Sequence, residues 1–171
     1  LDYGYLDKND HIWLCYKDTI TWYNIRTGTT QHMPKPVDGA ISTIEQADGG
    51  HFFIGTGSGL FCVGIEKGEL KQIPDEVVKS IVTPVHELYY HTVSKQLFVG
   101  SYKEGILIYD IGKPQKITPC YAPNNVEVNQ IVALNADELL IATGGKGVYK
   151  LNVNTCKSEP YITADYSSYN G

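Results

Sequence analysis

The sequence predicts an all-β protein made of repeated units, and three observations lead to that prediction. Short apolar segments alternate with turns rich in Gly, Asn and Asp along the whole chain. One hairpin pattern, clearest at 48–63 as DGGHFFIGTGSGLFCV, recurs four times. An independent turn pattern places an aliphatic residue at Ile25, Ile65, Ile111 and Val153, about every 40 to 46 residues. Four short strands at this period are typical of the blades of a β-propeller.

The second and third strands of each unit align most easily. The second strand is apolar and is expected at 11–16, 52–56, 96–101 and 138–143. The third strand is expected at 20–23, 60–63, 106–109 and 148–151. Gly59, Gly105 and Gly147 stand just before three of these third strands, where tolerance of positive φ allows a tight reversal. A continuous apolar run indicates a second strand that is buried on both faces.

The first and fourth strands complete each unit. The first strand is expected at 2–6, 41–45, about 85–90 and 130–134, and the fourth at 30–33, 70–73, 115–118 and 158–162. The fourth strands are polar, which suits an exposed outer edge, because charge and Pro oppose edge-to-edge pairing. The alternative is a β-sandwich with regularly spaced strands. Two turn patterns that recur in one register favour the propeller.

The repeats divide the chain into four blades. The whole of 1–171 is expected to be one β-propeller segment, with blades at approximately 1–36, 37–76, 77–122 and 123–164 and with 165–171 leading into a missing blade. Four blades are the low end of the known range. We therefore expect a fragment of a larger propeller, whose first and last blades pack against the remaining blades or against a second copy of the chain.

Composition excludes several classes of function. The net charge is −5 and is evenly spread, so the basic stripe that a nucleic-acid surface needs is missing. No window holds eighteen uncharged apolar residues, so any membrane anchor would lie in segments outside this sequence. The sequence has no nucleophile–base motif, no paired carboxylates and no metal-ligand spacing. We expect no catalytic residue, no metal site and no cofactor.

The four cysteines have two expected roles. None forms a C-x-x-C pair, which argues against a zinc or redox site. Cys15 and Cys62 fall in apolar strands and are expected to be small core residues. Cys120 and Cys156 fall in predicted turns, and the sequence leaves open whether they form a disulfide.

One face of the predicted propeller is the candidate ligand site. The loops between second and third strands share this face with the connections between blades. Exposed aromatic rings there can stack on sugars, while amides and charged groups bond the hydroxyls; the alternative is that these tyrosines only fill loops. The candidate residues are Tyr16, Lys17, Asp18, Tyr102, Lys103, Asn124, Asn125 and Lys146.

The best-preserved unit resembles a known repeat. Residues 41–61, ISTIEQADGGHFFIGTGSGLF, look like the two-component regulator propeller repeat, whose pattern is roughly I-x-x-D-x-x-G-x-[LI]-W-[IV]-G-T-x-x-G-L. Phe53 replaces the usual Trp, whereas Trp13 keeps it, and the third and fourth units keep only the outline. The resemblance implies the periplasmic sensor region of an inner-membrane hybrid two-component system of Bacteroides-type bacteria. Such regions typically recognise oligosaccharides, and their histidine kinase and DNA-binding parts would lie outside this chain.

Two functions from different classes follow. The first is a periplasmic segment that recognises an oligosaccharide and signals across the membrane towards transcription. The second is an architectural propeller that binds proteins and has no small-molecule ligand. An enzyme of the sialidase or lyase kind has less support, because no acid–base pair can be nominated.

Overall fold

In the described part of the chain, sixteen strands form four antiparallel four-stranded sheets, which confirms the predicted blades. A computed structural model describes residues 1–36, 38–113, 117–120 and 126–163. In each sheet the strands follow one another in chain order. Blade 1 contains β1 (Tyr3–Leu6), β2 (His11–Cys15), β3 (Thr19–Asn24) and β4 (Thr30–Pro34), and blade 2 contains β5 (Ile41–Gln46), β6 (His51–Thr56), β7 (Gly59–Glu66) and β8 (Glu69–Ile73). Blade 3 contains β9 (Val85–His91), β10 (Gln96–Ser101), β11 (Ile106–Asp110) and β12 (Ile117–Cys120), and blade 4 contains β13 (Val128–Ala133), β14 (Glu138–Thr143), β15 (Gly147–Asn152) and β16 (Ser158–Ile162).

The strand registers make the blades comparable residue by residue. On β2 and β3 of blade 1, Trp13 lies opposite Trp22. The equivalent pairs in the other blades are Phe53–Cys62, Phe98–Ile108 and Leu140–Lys150. Side chains alternate between the two faces of a strand, so these pairs lie on the same flank of each blade, the flank that faces the next blade.

Three buried apolar clusters join neighbouring blades. Trp13 and Trp22 of blade 1 pack with Phe52 and Phe61 of blade 2. Phe53 of blade 2 belongs to the cluster between blades 2 and 3, and the cluster between blades 3 and 4 includes Phe98 and Leu139. Within the described ranges, no buried cluster joins blade 4 to blade 1. The described parts of the four blades therefore form a series in which each blade packs on the next.

A buried carboxylate organises the first turn of blade 1. The Asp7 side chain is fully buried and accepts a hydrogen bond from Trp13 Nε1 at 3.0 Å. It also accepts the backbone N–H groups of Asn9 at 2.8 Å and His11 at 3.0 Å, and it lies 2.9 Å from His11 Nδ1. Because buried polar groups need partners, this network fixes the turn against the inter-blade core.

The connection between blades 2 and 3 contains a short helix that the sequence analysis missed. Helix α1 (Glu76–Lys79) is capped by Asp75, whose side chain accepts hydrogen bonds from Val77 N and Val78 N. Val78 is buried in the cluster between blades 2 and 3. Asp75 is a typical helix-capping residue, and it was the one indication of a helix in the sequence. The four residues of α1 are too few to show helical periodicity.

The fourth strand of blade 3 ends later than predicted. The expected strand at 115–118 is observed as β12, which extends through Pro119 to Cys120, and residues 114–116 lie outside the described ranges. Cys120 therefore lies in a strand and not in a turn. Pro is tolerated here because, among the described strands, β12 is an edge strand that pairs with β11 alone.

The cysteines are divided as two buried thiols and one disulfide. Cys15 and Cys62 are buried, as expected, and burial raises the pKa of each thiol to about 12. Cys120 and Cys156 form a disulfide with their Cα atoms 5.2 Å apart. This bond ties the outer strand of blade 3 to the turn between β15 and β16 of blade 4, so it spans a blade boundary.

We predict that Gly59→Ala lowers the free energy of unfolding by at least about 2 kcal/mol. Gly59 has a φ of 138°, and an added Cβ would lie 2.3 Å from the Ile81 carbonyl oxygen, which accepts a hydrogen bond from Leu60 N. Gly68→Ala is the matched control, because Gly68 also has positive φ but no atom lies within 4 Å of an added Cβ. Urea unfolding of both variants measures the difference, and equal losses would contradict the contact with Ile81.

Candidate functional site

Backbone hydrogen bonds join the loops between second and third strands to the connections between blades. Tyr102 N donates to Pro84 O at 3.3 Å, and Gly144 N donates to Glu127 O at 2.9 Å. In blade 2, Gly57 N donates to Ala40 O at 3.1 Å. These bonds place both sets of loops on one face of the propeller segment, as the sequence analysis expected.

A cavity of about 430 Å³ opens on this face between blades 3 and 4. Tyr102 and Lys103 from the β10–β11 loop, Glu127 from the inter-blade connection and Gly144 from the β14–β15 loop line it. Tyr102 is 48% exposed. The site therefore presents an accessible aromatic ring beside a carboxylate and an ammonium group.

His86 supports the wall of this cavity. Its ring stacks on Tyr102 with 5.9 Å between ring centroids and 28° between ring planes. Its Nδ1 lies 3.0 Å from Glu127 Oε1. Both side chains are 35% exposed, so the pair remains partly accessible to solvent.

The local sequence explains the shape of the cavity. In the β10–β11 loop, Ser101 Oγ accepts the Glu104 N–H at 2.8 Å, and Gly105 takes a positive φ of 67° that ends the loop. Tyr102 and Lys103 are thereby held at the tip of the loop. At Gly144, an added Cβ would lie 3.2 Å from Glu127 Cβ, so a larger residue would displace the Glu127 side chain.

The residues predicted in blade 1 line a different cavity. Lys17 and Asp18 line a cavity of about 400 Å³ between blades 1 and 2, together with Asp2, Lys35 and Asp38. The two cavities share no lining residue. Tyr16, the neighbour of Lys17, is 43% exposed.

The remaining predicted site residues belong to blade 4 and to the connection before it. Lys146 is exposed in the same turn as Gly144. Asn124 and Asn125 lie outside the described residues. The structure thus brings Tyr102 and Lys103 together at one cavity and Lys17 and Asp18 at another.

His86 and Glu127 are site residues that the sequence analysis missed. His86 lies on β9, the inner strand of blade 3, and Glu127 directly precedes β13. Their meeting depends on the packing of blade 3 against blade 4, which no local pattern shows. The sequence offered one indication of their role: both residues stand where a connection between blades meets a first strand.

Two acidic side chains on the inner strands have a structural role. Burial, and secondarily the nearby Glu45 carboxylate, raises the pKa of Glu87 to about 7. Burial also raises the pKa of Glu45, whose Oε1 accepts a hydrogen bond from Tyr90 N at 3.2 Å. This bond links β5 of blade 2 to β9 of blade 3. Because β9 is the inner edge strand of its sheet, the Glu45 carboxylate supplies an acceptor for a backbone N–H group at that edge.

The chemistry of the blade 3–4 cavity suits binding. Within the part of the chain that the structure describes, no group of three or more His, Cys, Asp or Glu side chains could hold a metal ion. The Tyr102 ring can stack on an apolar sugar face, and Lys103, His86 and Glu127 can bond hydroxyl groups. Such a combination of one aromatic surface and a few polar groups is typical of small-ligand sites.

Comparison with known proteins identifies the fold. No protein-family model and no curated protein matches the sequence. Among solved structures, the extracellular domain of the putative hybrid two-component system BT4673 from B. thetaiotaomicron matches with a TM-score of 0.72 at 19% identity, over 96% of this chain and 22% of that chain. The extracellular domain of the putative hybrid two-component system BT3049 from the same organism matches with a TM-score of 0.68 at 16% identity, over 91% and 22%.

A further match comes from a different class of protein. The β-propeller domain of Cps50 (Swd1) from Myceliophteria thermophila has a TM-score of 0.66 at 14% identity, over 94% of this chain and 55% of that chain. The chain spans about a fifth of the length of the two sensor domains. No helix in the described ranges has the length and hydropathy of a membrane span.

The structural matches show that the chain has the β-propeller fold. Its structural neighbours include extracellular domains of the sensor class that its repeat resembles.

Proposed function

We propose that this chain is the ligand-sensing part of a periplasmic sensor region, and that it recognises an oligosaccharide. The repeat at 41–61 and the fold shared with extracellular domains of hybrid two-component systems support the sensor class. The chain itself acts by binding and not by catalysis. The histidine kinase and the parts that regulate transcription would lie in other segments of the protein.

The disulfide gives independent support for the periplasm. Cys120 and Cys156 join two blades covalently. Disulfides form and persist in oxidising compartments such as the bacterial periplasm and are rare in the cytosol. A structural disulfide between blades therefore fits a segment that folds outside the cytoplasm.

The exposed Tyr102 ring over the blade 3–4 cavity carries the proposal for an oligosaccharide ligand. The ring is held by His86 on one side and is bordered by Lys103 and Glu127. A preorganised aromatic surface lowers the entropic cost of binding a sugar ring. Thermal melts against a panel of plant and host oligosaccharides test the proposal. One sugar should raise Tm in a concentration-dependent way, and no shift with any sugar would contradict it.

We predict that Tyr102→Ala weakens binding of that sugar roughly tenfold, the loss of one aromatic contact of about 1.4 kcal/mol. Isothermal titration calorimetry measures the dissociation constant. Tyr161→Ala is the matched control, because Tyr161 is 53% exposed but lies on β16, at the outer edge of blade 4. Equal affinity of the Tyr102 variant and the unaltered chain would place the ligand elsewhere, and the blade 1–2 cavity with Lys17 and Asp18 would be tested next.

The second candidate function is an architectural propeller that binds other protein surfaces. Exposed apolar side chains favour it, because Leu6 of blade 1 and Val132 and Ile162 of blade 4 could pack against a protein surface. Under this function, a protein partner would cover a flank, and no oligosaccharide would shift Tm.

A further inference from the structure

A β-bulge near the start of the first strand places one residue outside the strand pairing in blades 2, 3 and 4. In blade 3 the extra residue is His86, because its two neighbours on β9 pair with successive residues of β10. Ser42 and Asn129 hold the same position in blades 2 and 4. A bulge re-aims the side chain of its extra residue. The bulge therefore explains why the His86 side chain can reach beyond its own sheet.

In blades 2 and 3 the bulged residue bonds to the chain that follows its blade. Ser42 Oγ donates a hydrogen bond to the Val85 carbonyl oxygen of blade 3. His86 Nδ1 lies 3.0 Å from Glu127 Oε1, in the connection that leads into blade 4. An ionised carboxylate only accepts hydrogen bonds, so Nδ1 carries the proton and donates it. The serine bonds to the backbone, whereas the histidine bonds to a side chain that lines the proposed sugar cavity.

His86 holds two of the groups that would contact a sugar. Its ring stacks on Tyr102, with 5.9 Å between the ring centroids. Its Nδ1 binds one oxygen of Glu127, Oε1. The other oxygen, Oε2, lies 3.2 Å from the place where a Cβ on Gly144 would stand, and Gly144 lines the cavity. Oε2 is therefore placed to accept a hydrogen bond from a sugar hydroxyl while Oε1 stays on His86.

We propose that His86 is the positioning residue of the blade 3–4 cavity, and that protonation of its ring tightens the site. The inference rests on the proposed function for the class of ligand. A protonated imidazole binds a carboxylate more strongly, because the hydrogen bond becomes charge-assisted. A cationic ring is also attracted to the face of the Tyr102 ring. Both effects hold Tyr102 and Glu127 more firmly, which lowers the entropic cost of binding a sugar.

The affinity for sugar should therefore rise as the pH falls from about 8 to about 6, the range in which imidazole groups commonly gain a proton. Besides Tyr102 and Glu127, the charged or titratable residues on the elements around His86 are Lys103 and Glu104 in the β10–β11 loop, Glu45 on β5, Glu87 on β9 and, at the opposite end of β9, His91. Glu87 is the main competing group, because burial raises its pKa to about 7. It does not line the cavity, so Glu87→Gln is the matched control.

NMR of the sugar-free chain, labelled with ¹³C in the Tyr and His rings, tests the positioning role. The ring signals of Tyr102 should shift with pH at the same midpoint as those of His86. His86→Phe keeps a ring on Tyr102 but cannot gain a proton, so the response of Tyr102 should disappear, whereas Glu87→Gln should retain it. An unchanged thermal melt shows that each variant is folded. A Tyr102 response that persists in His86→Phe, or that disappears in Glu87→Gln, overturns the proposal.

Calorimetry with cellotetraose, xylotetraose and maltotetraose connects this role to binding. These sugars are neutral, so they do not titrate themselves. The affinity of the unaltered chain for a sugar that binds should rise about threefold from pH 8 to pH 6, and the affinity of His86→Phe should not depend on pH. The same pH dependence in both chains overturns the proposal and leaves the sugar site standing. If none of these sugars binds, the proposed function fails for them, and the NMR experiment still decides the role of His86.

Discussion

Asp7→Ala is expected to lower the free energy of unfolding by about 3 kcal/mol. The Asp7 carboxylate is fully buried and accepts hydrogen bonds from Trp13 Nε1 and from two backbone N–H groups. Its removal leaves the buried Trp13 Nε1–H without an acceptor, takes away the acceptor of two partly buried backbone N–H groups, and leaves a space beside Trp13, which is 0% exposed. Both effects are destabilising in a well-packed core.

Thermal and urea unfolding measure this effect. A loss of this size corresponds to a decrease in Tm of roughly 6–12 °C for a chain of this length. Asp10→Asn is the matched control in the same turn, because Asp10 is half-exposed, its ion pair with Arg26 lies at the surface, and Asn tolerates the positive φ of 61° at this position. Exposed pairs contribute little, so the control should change stability by less than about 1 kcal/mol. Similar losses in both variants would contradict the importance of the buried network.

Removal of the disulfide is expected to destabilise the chain by up to about 4 kcal/mol. Cys120 and Cys156 are separated by 36 residues, so their bond restricts the unfolded chain over nearly a whole blade. In the folded state it also ties the outer edge of blade 3 to blade 4. Loss of this bond should therefore weaken blade 4 first, since the described part of blade 4 shares its buried cluster with blade 3 alone.

Urea unfolding with and without reductant measures this contribution. The Cys120→Ser, Cys156→Ser double variant should match the reduced chain and should not respond to reductant. Cys15 and Cys62 are buried thiols and are unchanged in both samples. A chain whose unfolding midpoint is the same in both redox states would contradict the stabilising role of the bond.

The sequence was sufficient to predict the blades because strand and turn patterns are local. Trp13 and Phe53 were aligned correctly, and the registers opposite Trp22 and Cys62 confirm that alignment. The divergence of the repeat also has a physical reason. Ala47 occupies in blade 2 the position of Asp7 in blade 1, because the backbone N–H of each donates to the first residue of the second strand. Phe53 takes the place of Trp13, and its ring has no N–H group that would need a buried carboxylate.

The candidate site was predicted less completely because it depends on contacts between blades. Tyr102 and Lys103 could be assigned to the correct face from the strand order alone. His86 stacks on Tyr102 within blade 3, but it pairs with Glu127 only because blade 3 packs on blade 4. Lys17 and Asp18 belong to blade 1, whereas Tyr102 and Lys103 belong to blade 3, and each pair lines the cavity at its own blade boundary.

Hydrogen–deuterium exchange with the oligosaccharide that raises Tm most tests the central claim most directly. The account predicts that the sugar slows exchange in the β10–β11 and β14–β15 loops, around Tyr102 and Gly144, where the cavity between blades 3 and 4 opens. Exchange at the outer strand β16, which carries Tyr161, should stay the same. Protection confined to the blade 1–2 cavity, or no protection on this face with any sugar of the panel, would contradict the proposed sensing site.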